Sequence, residues 1–215
     1  MPTKERMDRI KRVLSNRFAD IRVVLEEVKN AHNAGAVART CDAAGVQHLD
    51  IISADNEPFP VNEAVSTRAH KWLEFAMHTS TPGCLLGLKE RGFTVFATYL
   101  GEGAVPYSQP DYRGPSAFVF GNEADGISEE ARDLADVRIR IPMLGMTRSL
   151  NLSVSVGIIL YEVIRQRTED KEYEGSPLSA DEFERFFSRW LEPEHNKSQR
   201  NKKRNKKKGE SADSP

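Results

Sequence analysis

The stretch AFVFGNEADGISEEARDLADVRIRI, residues 117–141, contains one complete folding unit. The apolar run 117–120 reads as a buried strand, and Gly121, Asn122 and Glu123, then Asp125 and Gly126, read as the turn that ends it. Ser128 stands where it can cap the helix EEARDLA, whose Glu129 and Glu130 lie at its positive end. A second β-branched run follows at 137–141. Strand, helix and strand in immediate succession point to an α/β fold with a largely parallel sheet.

Working outward, similar apolar runs recur at 21–25, 49–53 and 93–98, separated by segments of helical period. The segment NAGAVARTCDAA is stopped by Gly45 and CLLGLKER by Gly92. A long apolar helix is expected from about 151 to 167; its small and branched residues Ser153, Val154, Ser155, Val156 and Gly157 call for a close packing partner. A first helix, 4–16, places Met7, Ile10, Val13 and Leu14 on one face. A last helix opens on the capping-box pattern Ser179-Ala180-Asp181-Glu182 and carries Phe183, Phe186, Phe187, Trp190 and Leu191 on one stripe. The expected fold class is therefore α/β, a parallel sheet flanked by helices. Its domains are a basic N-terminal helix (1–19), a sheet domain (20–168), a helical extension (169–191) and a disordered basic tail (192–215).

With 215 residues, 39% of them hydrophobic, the chain can bury a real core. No apolar run approaches the roughly 20 residues of a membrane-spanning helix, and MPTKERMDRIKR lacks a secretory apolar block, so a cytoplasmic protein is expected. Cys41 and Cys84 are too few and too distant for a disulfide framework, and the five histidines are scattered, so no metal is assigned. The net charge of −1 hides an asymmetry. Residues 1–24 carry Lys4, Arg6, Arg9, Lys11, Arg12, Arg17 and Arg22 against Glu5, Asp8 and Asp20, and NKSQRNKKRNKKK (196–208) has eight basic residues and no acid. Basic ends around a mildly acidic middle suit a polyanion gripped from the periphery, though a tail of this kind can equally be solubilising.

Gly101-Glu102-Gly103 is followed by Ala104-Val105-Pro106, which breaks the dinucleotide-binding pattern; Walker and serine-hydrolase signatures are missing as well. Three segments instead place polar residues where strands end, the edge at which parallel sheets bind ligands. They are NAHNAGAVART (30–40), FVFGNEADGIS (118–128) and IPMLGMTRSLNLSVSVGIILYE (141–162). Taken singly, each has an ordinary alternative. Asn33 can cap a helix that carries a solvated Arg39, Glu123 can sit on a plain turn, and Ser149 and Asn151 can simply open a helix.

Together the three resemble the motifs of the SpoU-type RNA 2′-O-ribose methyltransferases, the SPOUT class, through Asn33/Arg39, Gly121/Glu123 and Ser149-Leu150-Asn151. The likeness spans about residues 3–168, and the flanking helices are similar to those of the branch that methylates guanosine 18 of tRNA. The resemblance implies a C-terminal deep trefoil knot, S-adenosylmethionine as methyl donor without a metal, a homodimer whose arginines serve the partner's site, and tRNA as substrate. It implies that Thr98, Gly121, Ile141 and Leu150 surround the adenosine, largely through backbone groups. It assigns the reaction to Arg39, Asn33, Glu123, Ser149 and Asn151, and RNA contact to Arg9, Arg12, Arg17, His32, Arg165 and Arg167. For Arg39 the family mechanism gives a general base. Guanidinium keeps its proton at neutral pH, so a phosphate clamp that also stabilises alkoxide charge stands beside that role. Related ribosomal RNA enzymes carry an N-terminal RNA-binding domain, whereas only about 20 residues precede the first strand here, which favours tRNA. Another tRNA or rRNA nucleotide, or a non-catalytic RNA-binding role, remains the alternative.

Overall fold

The computed structural model describes residues 2–55, 69–122, 124–170 and 177–192. They fall into two compact units, one within residues 16–178 and the other made of the chain ends, residues 2–15 with 179–192. Glu123 and the tail beyond residue 192 lie outside the described residues.

The larger unit is built on a seven-stranded sheet. Its strands are β1 (Phe18–Glu26), β2 (Val46–Ile52), β3 (Glu74–His78), β4 (Thr94–Thr98), β5 (Val105–Pro106), β6 (Ser116–Phe120) and β7 (Val137–Arg140). Their spatial order is β3-β2-β1-β6-β4-β7-β5, and every pairing is parallel. Side-chain alternation assigns the strands' two faces to two cores. Ile21, Val23, Leu25, Phe96, Phe118, Phe120 and Ile139 meet Val37, Ala38 and Cys41 of helix α2 (Ala31–Ala43) and Val156, Ile159, Leu160 and Val163 of helix α5 (Leu152–Glu169). On the other face Val24, Val95, Ala97, Ala117 and Val119 meet Cys84, Leu85 and Leu88 of helix α3 (Thr81–Glu90) and Ala131 of helix α4 (Glu129–Leu134). A sheet covered on both faces explains why its strands read as continuous apolar runs.

Helices α2 and α5 pack side by side. Asn33 in the first turn of α2 meets Asn151 at the start of α5, and a Cβ on Gly157 would lie 3.6 Å from the Thr40 methyl, so the two helices run parallel in close contact. This is the partner that the small residues of 151–167 called for.

Two strands escaped the sequence reading. β3 has the sequence EFAMH, in which polar ends dilute the apolar run, and β5 is two residues long. Because β5 pairs with β7 rather than with β4, β7 lies between two strands that are consecutive in the chain. Thr98 and Val105 both stand level with Ile139, so the connection 99–104 crosses β7 near its C-terminal end. Tyr99 N–H donates to the Ile139 carbonyl at 2.9 Å and Tyr107 N–H to the Arg140 carbonyl at 2.8 Å on either side of that crossing.

The smaller unit pairs α1 (Lys4–Leu14) with α6 (Ala180–Leu191). Thr3 caps α1, and Ser179 with Glu182 closes a complete capping box on α6. The Arg6 guanidinium donates to the Trp190 carbonyl at 3.0 Å, and the Lys11 ammonium lies 5.4 Å from the Phe187 ring centre. Helix α1 ends at Leu14 rather than at 16, so Arg17 is outside it. Among the described residues no helix is long and apolar enough to cross a membrane.

Candidate active site

The C-terminal ends of β6, β4 and β7, three neighbours in the sheet, open into a cleft of about 640 Å³. Each wall has a local cause. Thr98 ends β4, and its hydroxyl donates to the Val119 carbonyl at 3.0 Å, tying β4 to β6 at the floor. Gly121 follows β6 where the chain folds back on itself: a Cβ there would stand 1.9 Å from the Gly126 carbonyl carbon and oxygen and 2.3 Å from the Ile127 nitrogen. Only glycine fits. The returning loop is held by Asn122, whose side-chain oxygen accepts from the Ala124 and Asp125 amides at 2.9 Å each, and it turns at Gly126 with φ +72°. Ile141, Met143, Arg148, Ser149 and Leu150 supply the opposite wall from the segment between β7 and α5.

Asn151 caps α5. Its side-chain oxygen accepts from Ser153 N–H at 2.9 Å, and its amide nitrogen donates to the side-chain oxygen of buried Asn33 at 3.0 Å. The cap of α2 is Asn30, not Asn33: Asn30 Oδ1 accepts from the His32 and Asn33 amides, while the Asn33 side chain meets Asn151. The first and third sequence segments, 118 residues apart at these two asparagines, are thereby joined.

Thr98, Gly121, Ile141, Ser149, Leu150 and Asn151 therefore line one cleft, and Asn33 is fastened to its edge. Arg39 is exposed on α2, and among the described residues it has no ion-pair partner. Six residues of helix turn its side chain about 120° away from that of Asn33. His32 is exposed in the first turn of α2, and Arg9 and Arg12 are exposed on α1.

Two expected RNA contacts are corrected. Arg167 is 1% exposed, and its guanidinium donates to the Asp20 carboxylate (2.6 Å) and to the Tyr112 and Gly114 carbonyls (2.9 Å each). Arg17 is 2% exposed, paired with the Asp42 carboxylate and donating to the Val46 carbonyl. Both guanidiniums are spent on the protein's own oxygens inside the sheet unit. Arg165 is half exposed but gripped by Glu162 at 2.8 Å and by Glu169; its hydrogen bonds to Glu162 raise the guanidinium's pKa and lower that of the carboxyl.

Comparison with known proteins gives this geometry its context. Residues 20–161 match the model of the SpoU rRNA Methylase family. The chain belongs to this family. Among SpoU relatives, the tRNA (guanosine(18)-2′-O)-methyltransferase of Thermus thermophilus is 42% identical over 88% of this chain and 97% of its own. The enzyme of the same name from Aquifex aeolicus is 40% identical over 87% and 89%. The crystal structure of the A. aeolicus TrmH/SpoU tRNA modifying enzyme superposes with a TM-score of 0.81 over 87% of this chain and 95% of that one. The SpoU methyltransferase AviRb from Streptomyces viridochromogenes, in complex with the cofactor AdoMet, gives a TM-score of 0.64 at 25% identity over 79% and 67%.

Within this SpoU cleft the structure adds residues that the motifs did not single out. Asp125, Arg140 and Arg148 contribute the charged groups of the lining. Each sits one or two positions from a residue the motifs did name, and a charged side chain on a loop carries no pattern of its own. Elsewhere, Asp50, His78 and Cys84 hold ligand-type atoms within 4.8 Å of one another. There the Asp50 carboxylate lies between the Arg22 guanidinium at 3.0 Å and His78 Nε2 at 2.8 Å, and burial pushes the Cys84 thiol up to about 12. A cation at that point would displace both contacts and face the Arg22 charge.

Proposed function

We propose that this protein transfers a methyl group from S-adenosylmethionine to the ribose 2′-oxygen of guanosine 18 in tRNA. One observation carries the reading: strand ends and loops from three separate segments of the chain converge on a single cleft, and Asn33 is tied to it through Asn151. Relatives that match this chain over most of their length bear the guanosine-18 name, and structural neighbours include a cofactor-bound methyltransferase.

The cleft suits the donor. Its volume lies within the range of small-molecule pockets, and its lining joins apolar side chains (Leu100, Ile141, Leu150) with backbone edges at Thr98 and Gly121, the mixture an adenosine needs. Asp125 gives it a carboxylate for cationic groups, and Arg140 and Arg148 give it guanidiniums for a carboxylate or a phosphate. S-adenosylmethionine supplies an electrophilic methyl on a sulfonium. The chain must orient a ribose hydroxyl toward it and disperse the charge that grows on oxygen as the proton leaves. Ser149, Asn151 and Asn33 serve orientation, and Glu123 belongs to the same loop as Gly121. Arg39 acts as the electrostatic clamp, since guanidinium chemistry favours charge stabilisation over proton abstraction.

Within the sheet unit, exposed His32 and Arg39 of α2 are offered to the RNA, and within the smaller unit exposed Arg9 and Arg12 of α1. The working form is a homodimer, supported by the apolar surface at Leu144 and Met146, fully exposed beside the cleft, and at Val154 and Tyr161, half exposed on α5; a second copy would cover them. We also infer that the chain forms a deep trefoil knot, supported by the connection 99–104 crossing β7, which the chain has to pass on its way to α5. A tRNA substrate places the protein in the cytoplasm.

The test is transfer of labelled methyl from S-adenosylmethionine to a tRNA transcript and to the same transcript with 2′-deoxyguanosine at position 18. Incorporation into the first alone supports the proposal. Equal incorporation into both moves the target elsewhere, and none into either refutes the activity.

A further inference from the structure

Glu26, the last residue of β1, is a carboxylate only 3% exposed. Burying a carboxylate is costly unless donors surround it, and here they do. Its Oε1 accepts from the Thr81 hydroxyl at 2.5 Å and the Ser128 hydroxyl at 2.7 Å, and its Oε2 accepts from Ser128 N–H at 2.8 Å. Thr81 is the first residue of α3, and Ser128 in turn caps α4 by accepting from Ala131 N–H at 3.0 Å. One side chain thus fastens two helix starts to the sheet.

The consequence lies in the cleft. Its loop wall, described at residues 121, 122 and 124–127, leaves β6 at Phe120, which is paired with Leu25, and returns at Ser128, which is bonded to Glu26. Both ends of the wall are therefore pinned to consecutive residues of β1. Between them the loop keeps its shape through the Asn122 side chain and the Asn122–Gly126 bridge. We propose that Glu26 is a positioning residue for the methyl-donor site, acting through Ser128 to hold the 121–127 wall in register with Thr98 and Leu150. This rests on the proposed identity of the cleft's ligand, while the placement of the wall itself does not.

Glu26→Gln tests it. The amide keeps the size but sets an NH2 group against the Ser128 N–H or hydroxyl, and losing a hydrogen bond to a charged acceptor costs about a tenfold factor or more. The expected results are amide exchange across 122–128 faster by about tenfold in the ligand-free protein, S-adenosylmethionine Kd raised by a similar factor, and tRNA Kd unchanged. Ser128→Ala should weaken cofactor binding less, and adding it to Glu26→Gln should cost nothing further, because both act on one anchor. If the glutamine variant fails to fold, Thr81→Val and Ser128→Ala show the same pattern at smaller amplitude. Exchange that rises equally over the whole sheet, a loosened wall with unchanged cofactor affinity, or additive losses in the double variant would each overturn the proposal. If the wild-type protein binds no S-adenosylmethionine, the reading of the cleft fails, and the exchange measurement still decides whether Glu26 holds the wall.

Discussion

Removing the Arg167 side chain should destabilise the protein far more than it weakens RNA binding. The Arg167→Ala change deletes three donors at once and leaves the Asp20 carboxylate and the Tyr112 and Gly114 carbonyls without them. The guanidinium is almost fully buried and also lies over the Phe18 ring, 5.4 Å from its centre. Breaking a buried ion pair by removing one partner costs about 3–5 kcal/mol. For a chain of this size each kcal/mol corresponds to roughly 2–4 °C, so a fall in Tm of about 6–20 °C is expected. Arg167→Lys should recover only part of it, since an ammonium keeps the charge but cannot span three acceptors with a planar fork. Thermal unfolding followed by circular dichroism reads the first quantity, and filter binding of tRNA to the folded fraction at low temperature reads the second. An alanine variant that melts within a degree of wild type but binds tRNA tenfold more weakly would show that this arginine faces the RNA after all.

Gly121→Ala should abolish S-adenosylmethionine binding in calorimetry while the α/β body still folds, because the added methyl group collides with the Gly126 and Ile127 backbone, which cannot yield without the wall moving. Arg39→Ala should lower methyl transfer at least a hundredfold in single-turnover assays with cofactor affinity unchanged, the loss expected for one preorganised charge-stabilising donor. Asn151→Ala removes the cap of α5 and the bond to Asn33 together; a loss of about 1–2 kcal/mol in urea unfolding and weaker cofactor binding are expected. Buried Cys84, with its thiol pushed up to about 12, should resist iodoacetamide at pH 8 until the chain is unfolded. The folded state holds that proton more tightly, so the stability it contributes is present below the unfolded thiol's value near 9.0 and is lost as pH rises toward 12. Urea midpoints at pH 8 and pH 10 should accordingly differ less in Cys84→Ala than in wild type.

Much of the fold was legible because local signals agreed with one another. The five apolar runs fall on β1, β2, β4, β6 and β7, and Gly45, Gly92, Ser128, Asn151 and Ser179 sit at the helix ends where capping chemistry put them. What was not legible depended on partners distant in sequence. Nothing in RQRTED announces that Arg167 points inward to Asp20, 147 residues away, and a basic residue near a helix end reads as surface by default. Arg17 stands just past the expected helix 4–16, and nothing local announces its pairing with Asp42, 25 residues away. Asn30 and Asn33 both stand where a cap can form, and only the bond from Asn151 shows which of them is turned to the site. Glu26 lies one residue past the apolar run 21–25, and its role appears only when α3 and α4 arrive.

The most direct measurement is calorimetric titration of S-adenosylmethionine into the full chain and into Gly121→Ala. Saturable binding of one molecule per chain, lost in the alanine variant, is the expected result. No heat with the wild-type protein, or equal affinity in the two, would contradict a methyl-donor site at the ends of β4, β6 and β7.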